Sequence, residues 1–140
     1  MKLTLFTAES AGRLLPELEP RLRALVAMRR ELRRIETRMG VLALTLAGAS
    51  AGNPDATEAR ELAGRRDGLA ARIRAGLEAI HALGPVVKDL DSGLLDFYSL
   101  AGDRLVFLCW KLGETEIAHW HPLDGGFSNR RPLDKSPLEE

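Results

Sequence analysis

The sequence predicts an α+β fold: a long antiparallel helical hairpin followed by a three- to four-stranded antiparallel β-meander. Three observations carry this. Leu18, Leu22, Leu25, Met28, Leu32, Ile35, Met39, Leu42 and Leu46 recur at steps of three and four, close to the a/d seam of a heptad. Leu62, Leu69, Ile73, Leu77, Ile80 and Leu83 form a second helical row that stops at Gly84-Pro85. Beyond Pro85 the pattern changes to short apolar runs separated by turn residues.

The first helix has a start signal at Thr7, whose hydroxyl can accept from a free backbone N–H. Glu9 follows in the first turn, where the helix dipole favours an acid, and Phe6 is placed to staple the entry. Pro16 and Pro20 each remove a backbone donor, so a short helix over 8–14 and a fresh start near one of the prolines are expected. The long helix then runs to about residue 47, with Glu17–Arg21 and Glu19–Arg23 as acid-before-base pairs one turn apart. Gly48 to Pro54 reads as a break, and Asn53-Pro54 as the cap and first residue of the second helix. In that helix Arg66 falls in the apolar row, and Gly64, Gly68 and Gly76 weaken it while permitting close approach of another helix. Two amphipathic helices joined by a short loop form an antiparallel hairpin.

Four strands are expected at Val86-Val87, Leu94–Leu100, Arg104–Leu112 and Glu116–Leu123. Asp91-Ser92-Gly93, Ala101-Gly102-Asp103 and Gly113-Glu114-Thr115 supply the turns, and such short connections imply antiparallel pairing. Leu105 to Trp110 is apolar on both faces, the mark of a central strand covered on both sides. The expected organisation is a single domain over 1–140, with the hairpin at about 8–83, the meander at about 86–123 and a polar tail at 124–140.

Apolar residues make up 45% and charged residues 29%, a composition that supports a packed core. Twenty basic residues balance 20 acidic ones, which argues against a protein that coats nucleic acid. The balance is uneven along the chain: residues 1–84 carry net +4 and residues 85–140 net −4, so the two halves should attract each other. The lone Cys109 leaves no intramolecular disulfide and fits a reducing cytoplasm. Leu3–Phe6 is too short for the core of a secretion signal, and the uncharged run Met39–Pro54, at 16 residues, is short of a membrane span.

Several segments of the C-terminal half carry a family likeness. They are Val86-Val87-Lys88-Asp89-Leu90-Asp91-Ser92-Gly93-Leu94-Leu95-Asp96-Phe97, Cys109-Trp110-Lys111-Leu112-Gly113-Glu114 and Trp120-His121-Pro122-Leu123-Asp124-Gly125-Gly126-Phe127, with Arg131-Pro132-Leu133 behind. Together with Phe6-Thr7 and Leu14-Leu15-Pro16, they make the chain resemble the prokaryotic family known as domain of unknown function 2203. The resemblance implies a small bacterial protein, and it brings no catalytic residue with it.

The chemistry-bearing residues fall into four groups. Glu114, Glu116, His119 and His121 lie close in sequence. On a strand, His119 and His121 share a face about 7 Å apart, a spacing at which two imidazoles can share Zn²⁺, Mn²⁺ or Fe²⁺. Glu116, Asp89, Asp91 and Asp96 are the carboxylates that would complete such a shell. The plain alternative is an exposed polar strand face with Ala118 and Trp120 packed inward. Asp89 and Asp91 also share a face, and if buried together one would have a raised pKa suited to a general base; a simple turn with Lys88 as counter-ion is the plainer reading.

Arg21, Arg23, Arg29, Arg30, Arg33, Arg34 and Arg38 form a basic stripe, read either as a phosphate contact or, more plainly, as a solvated helix face or a docking surface for an acidic partner face. Gly125, Gly126, Arg130 and Arg131 suit a small anion-binding loop, although the glycines serve equally to turn the chain. Cys109, inside an apolar strand, reads as a buried and inert thiol. The seam and the doubly apolar strand suggest more apolar surface than one copy hides. The sequence therefore points first to a non-enzymatic interaction module, a cytoplasmic homodimer with no cofactor, and second to a divalent-metal protein or metal-dependent enzyme at His119/His121. It names neither a reaction nor a substrate.

Overall fold

A computed structural model describes residues 3–46 and 53–133. Helix α1 spans Ala8–Thr45 and α2 spans Pro54–Ala82; strands β1 (Val86–Asp89), β2 (Leu94–Ala101), β3 (Arg104–Lys111), β4 (His119–Pro122) and β5 (Arg131–Pro132) follow, with a 3₁₀ turn at Phe127–Asn129 before β5. The expected α+β architecture is therefore present. The break after residue 47 and the end of the tail lie largely outside the described residues.

Helix α1 begins where its cap chemistry places it. The Thr7 hydroxyl accepts from the Ser10 N–H, and the Ser10 hydroxyl oxygen accepts from the Thr7 N–H. Phe6 is buried edge-to-face against Phe97, with ring centroids 5.1 Å apart. The expected interruption at the prolines is corrected: α1 runs unbroken through Pro16 and Pro20. Both rings sit on the exposed side, so the donors they remove leave the Gly12 and Pro16 carbonyls on the solvent face. Residue 12, four before Pro16, is a glycine and presents no Cβ. On the opposite side Ala11, Leu15, Leu18 and Leu22 are buried, and their burial outweighs the local cost of about 3 kcal/mol per interior proline.

Helix α2 starts at Asn53, whose side chain accepts from the Asp55 N–H, and stops before Gly84, which takes a positive φ of 119°. The helices run antiparallel. Gly76 sits tightly against α1: a Cβ there would lie 2.5 Å from Leu25 Cδ2. A Cβ added at Gly64 or Gly68 would meet nothing within 4 Å, so these two weaken α2 without easing its packing. Arg66, within the apolar row, turns to the neighbouring Asp67.

The sheet has the order β1-β2-β3-β4-β5, antiparallel throughout. That is one strand more than expected, because part of the presumed tail returns to the sheet: His119 pairs with Pro132 and Trp120 with Arg131. A two-residue strand has no alternation to reveal it.

Strand alternation gives the sheet two faces. Leu95, Phe97, Val106, Leu108, Trp110 and Trp120 point to the helices and share a core with Leu18, Leu22, Leu25, Val26, Ile73 and Ile80. Asp96, Tyr98, Phe107, Cys109, His119 and His121 point away, as the pairings Asp96↔Cys109, Tyr98↔Phe107, Cys109↔His119 and Phe107↔His121 require. The central strand is β3, buried on both faces as its sequence indicates.

Beyond the sheet, Ile35, Leu42 and Leu62 form a second, smaller core between the helices alone. Most of the seam is thus covered within one chain: Leu18, Leu22, Leu25, Ile35 and Leu42 are each at most 3% exposed. The attraction between the two halves is also met internally, where Asp91 of the β1–β2 turn accepts from Arg33 at 2.5 Å and lies 3.7 Å from Arg29.

Candidate functional site

The outward face of the sheet carries polar residues, yet its centre is dry. Asp96, Cys109 and His121 are each 1% exposed. Asp96 faces Cys109 directly across β2 and β3, and His121 of β4 lies one rung away beside Phe107, ring centroids 5.4 Å apart. From there the imidazole reaches diagonally past Cys109 to Asp96.

The hydrogen bonds fix the histidine's orientation. His121 Nδ1 is 2.8 Å from the Pro122 carbonyl oxygen. A carbonyl only accepts, so Nδ1 carries a proton and donates it. Nε2 lies 3.0 and 3.1 Å from the two Asp96 carboxylate oxygens. A single proton therefore sits between Asp96 and His121. The Cys109 sulfur lies within 4.8 Å of the Asp96 carboxylate and His121 nitrogen. Lys88 covers the group from β1, its Nζ 4.0 Å from Asp96 Oδ2 and 4.9 Å from the Phe107 ring centroid.

Burial governs the ionisation of this cluster. It raises the Asp96 pKa above its usual range, against the opposing pull of His121 and Lys88. It also pushes the Cys109 thiol up to about 12, with the nearby Asp96 charge acting in the same direction. At neutral pH the thiol is therefore protonated, and the cysteine is buried as expected.

A second tier surrounds the cluster. Glu114 Oε1 accepts from the Lys111 N–H at 2.7 Å, and its backbone carbonyl accepts from Trp110 Nε1 at 3.2 Å. Glu114 Oε2 accepts from Arg130 Nη2 at 2.5 Å. The same guanidinium stacks on Phe127, 4.7 Å from the ring centroid, and donates to His119 Nδ1. Because a guanidinium only donates, that histidine nitrogen is an acceptor. His119 is intermediate in exposure, unlike His121.

The sequence-derived candidates separate accordingly. His121 and Asp96 meet, and His119 lies on the same face, opposite Cys109. Glu116 is exposed, outside any strand. Asp89 is occupied within its own turn: it accepts from the Ser92 hydroxyl and the Asp91 N–H, and these bonds, the hydroxyl first, lower its pKa. That direction is opposite to the one a general base at Asp89/Asp91 requires. Asp91 turns away to Arg29 and Arg33.

In the anion-loop candidate, Arg130 is bonded to Glu114 and His119, Arg131 lies over Trp120 at 5.2 Å, and the Gly125 N–H donates to the Pro122 carbonyl. Gly126 precedes the 3₁₀ turn. Gly125, Arg130 and Arg131 border a cavity of about 390 Å³ that they share with Asp124. The basic stripe is largely paired, through Glu17–Arg21, Glu19–Arg23, Glu31–Arg34, Glu58–Arg38 and Asp91–Arg33, which favours the solvated-face reading over phosphate contact.

Cys109 and Lys88 complete the cluster, and sequence reasoning does not single them out as ligands. The available signal is Asp96 itself, a lone acid inside the otherwise apolar run Leu94–Phe97. Among the described residues, no helix is long and apolar enough to cross a membrane. No curated protein and no solved structure matches the chain. The chain belongs to the family of uncharacterised conserved proteins DUF2203, whose model matches residues 4–133.

Proposed function

We propose that this DUF2203 chain is a metal-binding protein that holds a divalent transition-metal cation between Asp96, Cys109 and His121. One observation carries the reading: a carboxylate oxygen, a thiol sulfur and an imidazole nitrogen lie within 4.8 Å of one another, all in buried residues. Donors around a tetrahedral zinc-type ion are separated by about 3.3–3.8 Å, so the group needs only a modest contraction. The Pro122 carbonyl holds the Nδ1 proton of His121, which leaves Nε2 to supply its lone pair.

Charge supports the same conclusion. A divalent ion displaces the thiol proton of Cys109 and the proton shared by Asp96 and His121. The two negative ligands then neutralise the ion in a site that tolerates no net charge. A sulfur donor favours zinc or ferrous iron over manganese. All three donors are buried, so a bound ion would be held inside the fold and would contribute folding energy.

Elemental analysis of tag-free protein, followed by titration with Co²⁺, tests the reading. One metal per chain and a thiolate-to-cobalt charge-transfer band, absent in Cys109→Ser, are expected. Absence of metal together with no cobalt band in the unmodified chain overturns it.

Self-association through the helices is a second reading, carried by Val41 and Leu44, which are 47% and 83% exposed at the far end of α1. Covered seam residues leave it little other surface. Sedimentation at tens of micromolar decides: a dimer that Leu44→Asp dissolves supports it, and a clean monomer removes it.

A further inference from the structure

We infer that the metal at Asp96, Cys109 and His121 takes His119 as its fourth ligand, and that Arg130 guards this position by holding His119 away. The inference rests on the metal-binding reading above and adds to it the residue that closes the shell and the residue that controls it.

Register places His119 at the site. Asp96, Cys109 and His119 occupy one rung across β2, β3 and β4, as successive Cα partners. Directly opposed side chains on neighbouring strands have Cβ atoms about 4.5–5.5 Å apart, so His119 begins next to the Cys109 sulfur. A two-residue step along β4 puts it on the same face as His121. Three ligands leave a tetrahedral ion one position short, and His119 is the remaining imidazole donor on that face.

His119 also has freedom to move that the other ligands lack. Its side chain is 32% exposed, whereas those of His121 and Asp96 are each 2% exposed. What holds it is Arg130, which donates to its Nδ1 while anchored to Glu114. A guanidinium beside a divalent cation is repulsive, and a nitrogen lone pair that accepts from Arg130 is unavailable to a metal. On metal binding His119 rotates from Arg130 to the ion, and Arg130 stays on Glu114 and Phe127. The Glu114 carboxylate thus sets how strongly the arginine's charge is felt at the site.

Zinc competition assays and cobalt spectra on the unmodified chain and three variants test this. His119→Ala is expected to weaken Zn²⁺ binding at least tenfold and to shift the cobalt spectrum away from its tetrahedral form. Arg130→Gln is expected to tighten binding about tenfold, and Glu114→Gln, which keeps the arginine but frees its charge, to weaken it. A merely structural Glu114–Arg130 pair lowers the melting temperature of both variants and moves their affinities in the same direction or not at all. An unweakened His119→Ala, or an unchanged Arg130→Gln, overturns the inference while leaving the three-ligand site standing. Failure of the unmodified chain and of Arg130→Gln alike to bind Zn²⁺ or Co²⁺ overturns the metal reading itself.

Discussion

His121 reaches across β3 to set its Nε2 3.0 and 3.1 Å from the two oxygens of Asp96. The pair shares one proton and lies out of water, in the middle of a sheet whose neighbouring positions are aromatic and aliphatic. Asp96 is consequently a group whose burial has a measurable signature.

The Asp96 pKa is raised above its ordinary 3.8, burial being the main cause. For a raised pKa, the group's stabilising contribution is fully present below the unfolded value and is lost as pH climbs through the folded one. An asparagine at this position has no carboxyl proton to lose and so no such slope. Denaturant unfolding of metal-free wild type and Asp96→Asn across pH is expected to show the wild type's relative stability falling as pH rises from about 4. A relative gain over that window contradicts the assignment.

Cys109 follows the same sign at the alkaline end. Its thiol moves from 9.0 to about 12 in the fold. Between those values the unfolded chain loses the proton first, and stability falls by about 1.4 kcal/mol per pH unit. Metal-free native protein at pH 8 is expected to resist a thiol-specific disulfide reagent, and the reaction is expected to follow unfolding. Rapid labelling without unfolding contradicts a buried, protonated thiol.

The three glycines of α2 give a contrast within one helix. Gly64→Ala and Gly68→Ala meet open space and are each expected to stabilise by about 1 kcal/mol in thermal or urea melts. Gly76→Ala drives a methyl to within 2.5 Å of Leu25 Cδ2, in a core where Leu25 is 1% exposed, and is expected to destabilise. Equal gains at all three positions contradict the close helix approach.

Gly93 closes the β1–β2 turn with φ of 73°, and a Cβ there would lie 2.8 Å from the Leu112 Cβ. Gly93→Ala combines an unfavourable backbone region with a contact neither side can relieve. A loss of about 1–3 kcal/mol is expected from denaturant unfolding, and an unchanged midpoint contradicts it.

Local chemistry makes the outline of the fold readable. Thr7 and Asn53-Pro54 mark the helix starts, Gly84-Pro85 marks an end, and Gly93 and Gly102 mark turns with φ of 73° and 68°. Pro16 and Pro20 mislead because their cost is local, whereas the burial of Leu15, Leu18 and Leu22 that overrides it depends on a sheet formed much later in the chain. β5 is invisible because two residues have no period. At the site, His121 and Asp96 are legible as residue types. Cys109 is legible only as apolar filling, because its partners are chosen by the pairing of three strands. Asp89 and Asp91 look equivalent to Asp96, but side-chain direction assigns them to a turn and to the helix arginines.

The small core of Ile35, Leu42 and Leu62 has a mechanical consequence. It lies between the helices alone, with Arg38–Glu58 and Arg65–Glu31 as the cross-links beside it. With so little apolar burial behind it, the helix pair around Ile35, Leu42 and Leu62 is expected to exchange its amide protons sooner than β2 and β3, which hydrogen exchange checks. The described part of the chain is built as a broad base, where the helices cover the sheet, and a narrow arm in which the helices cover only each other.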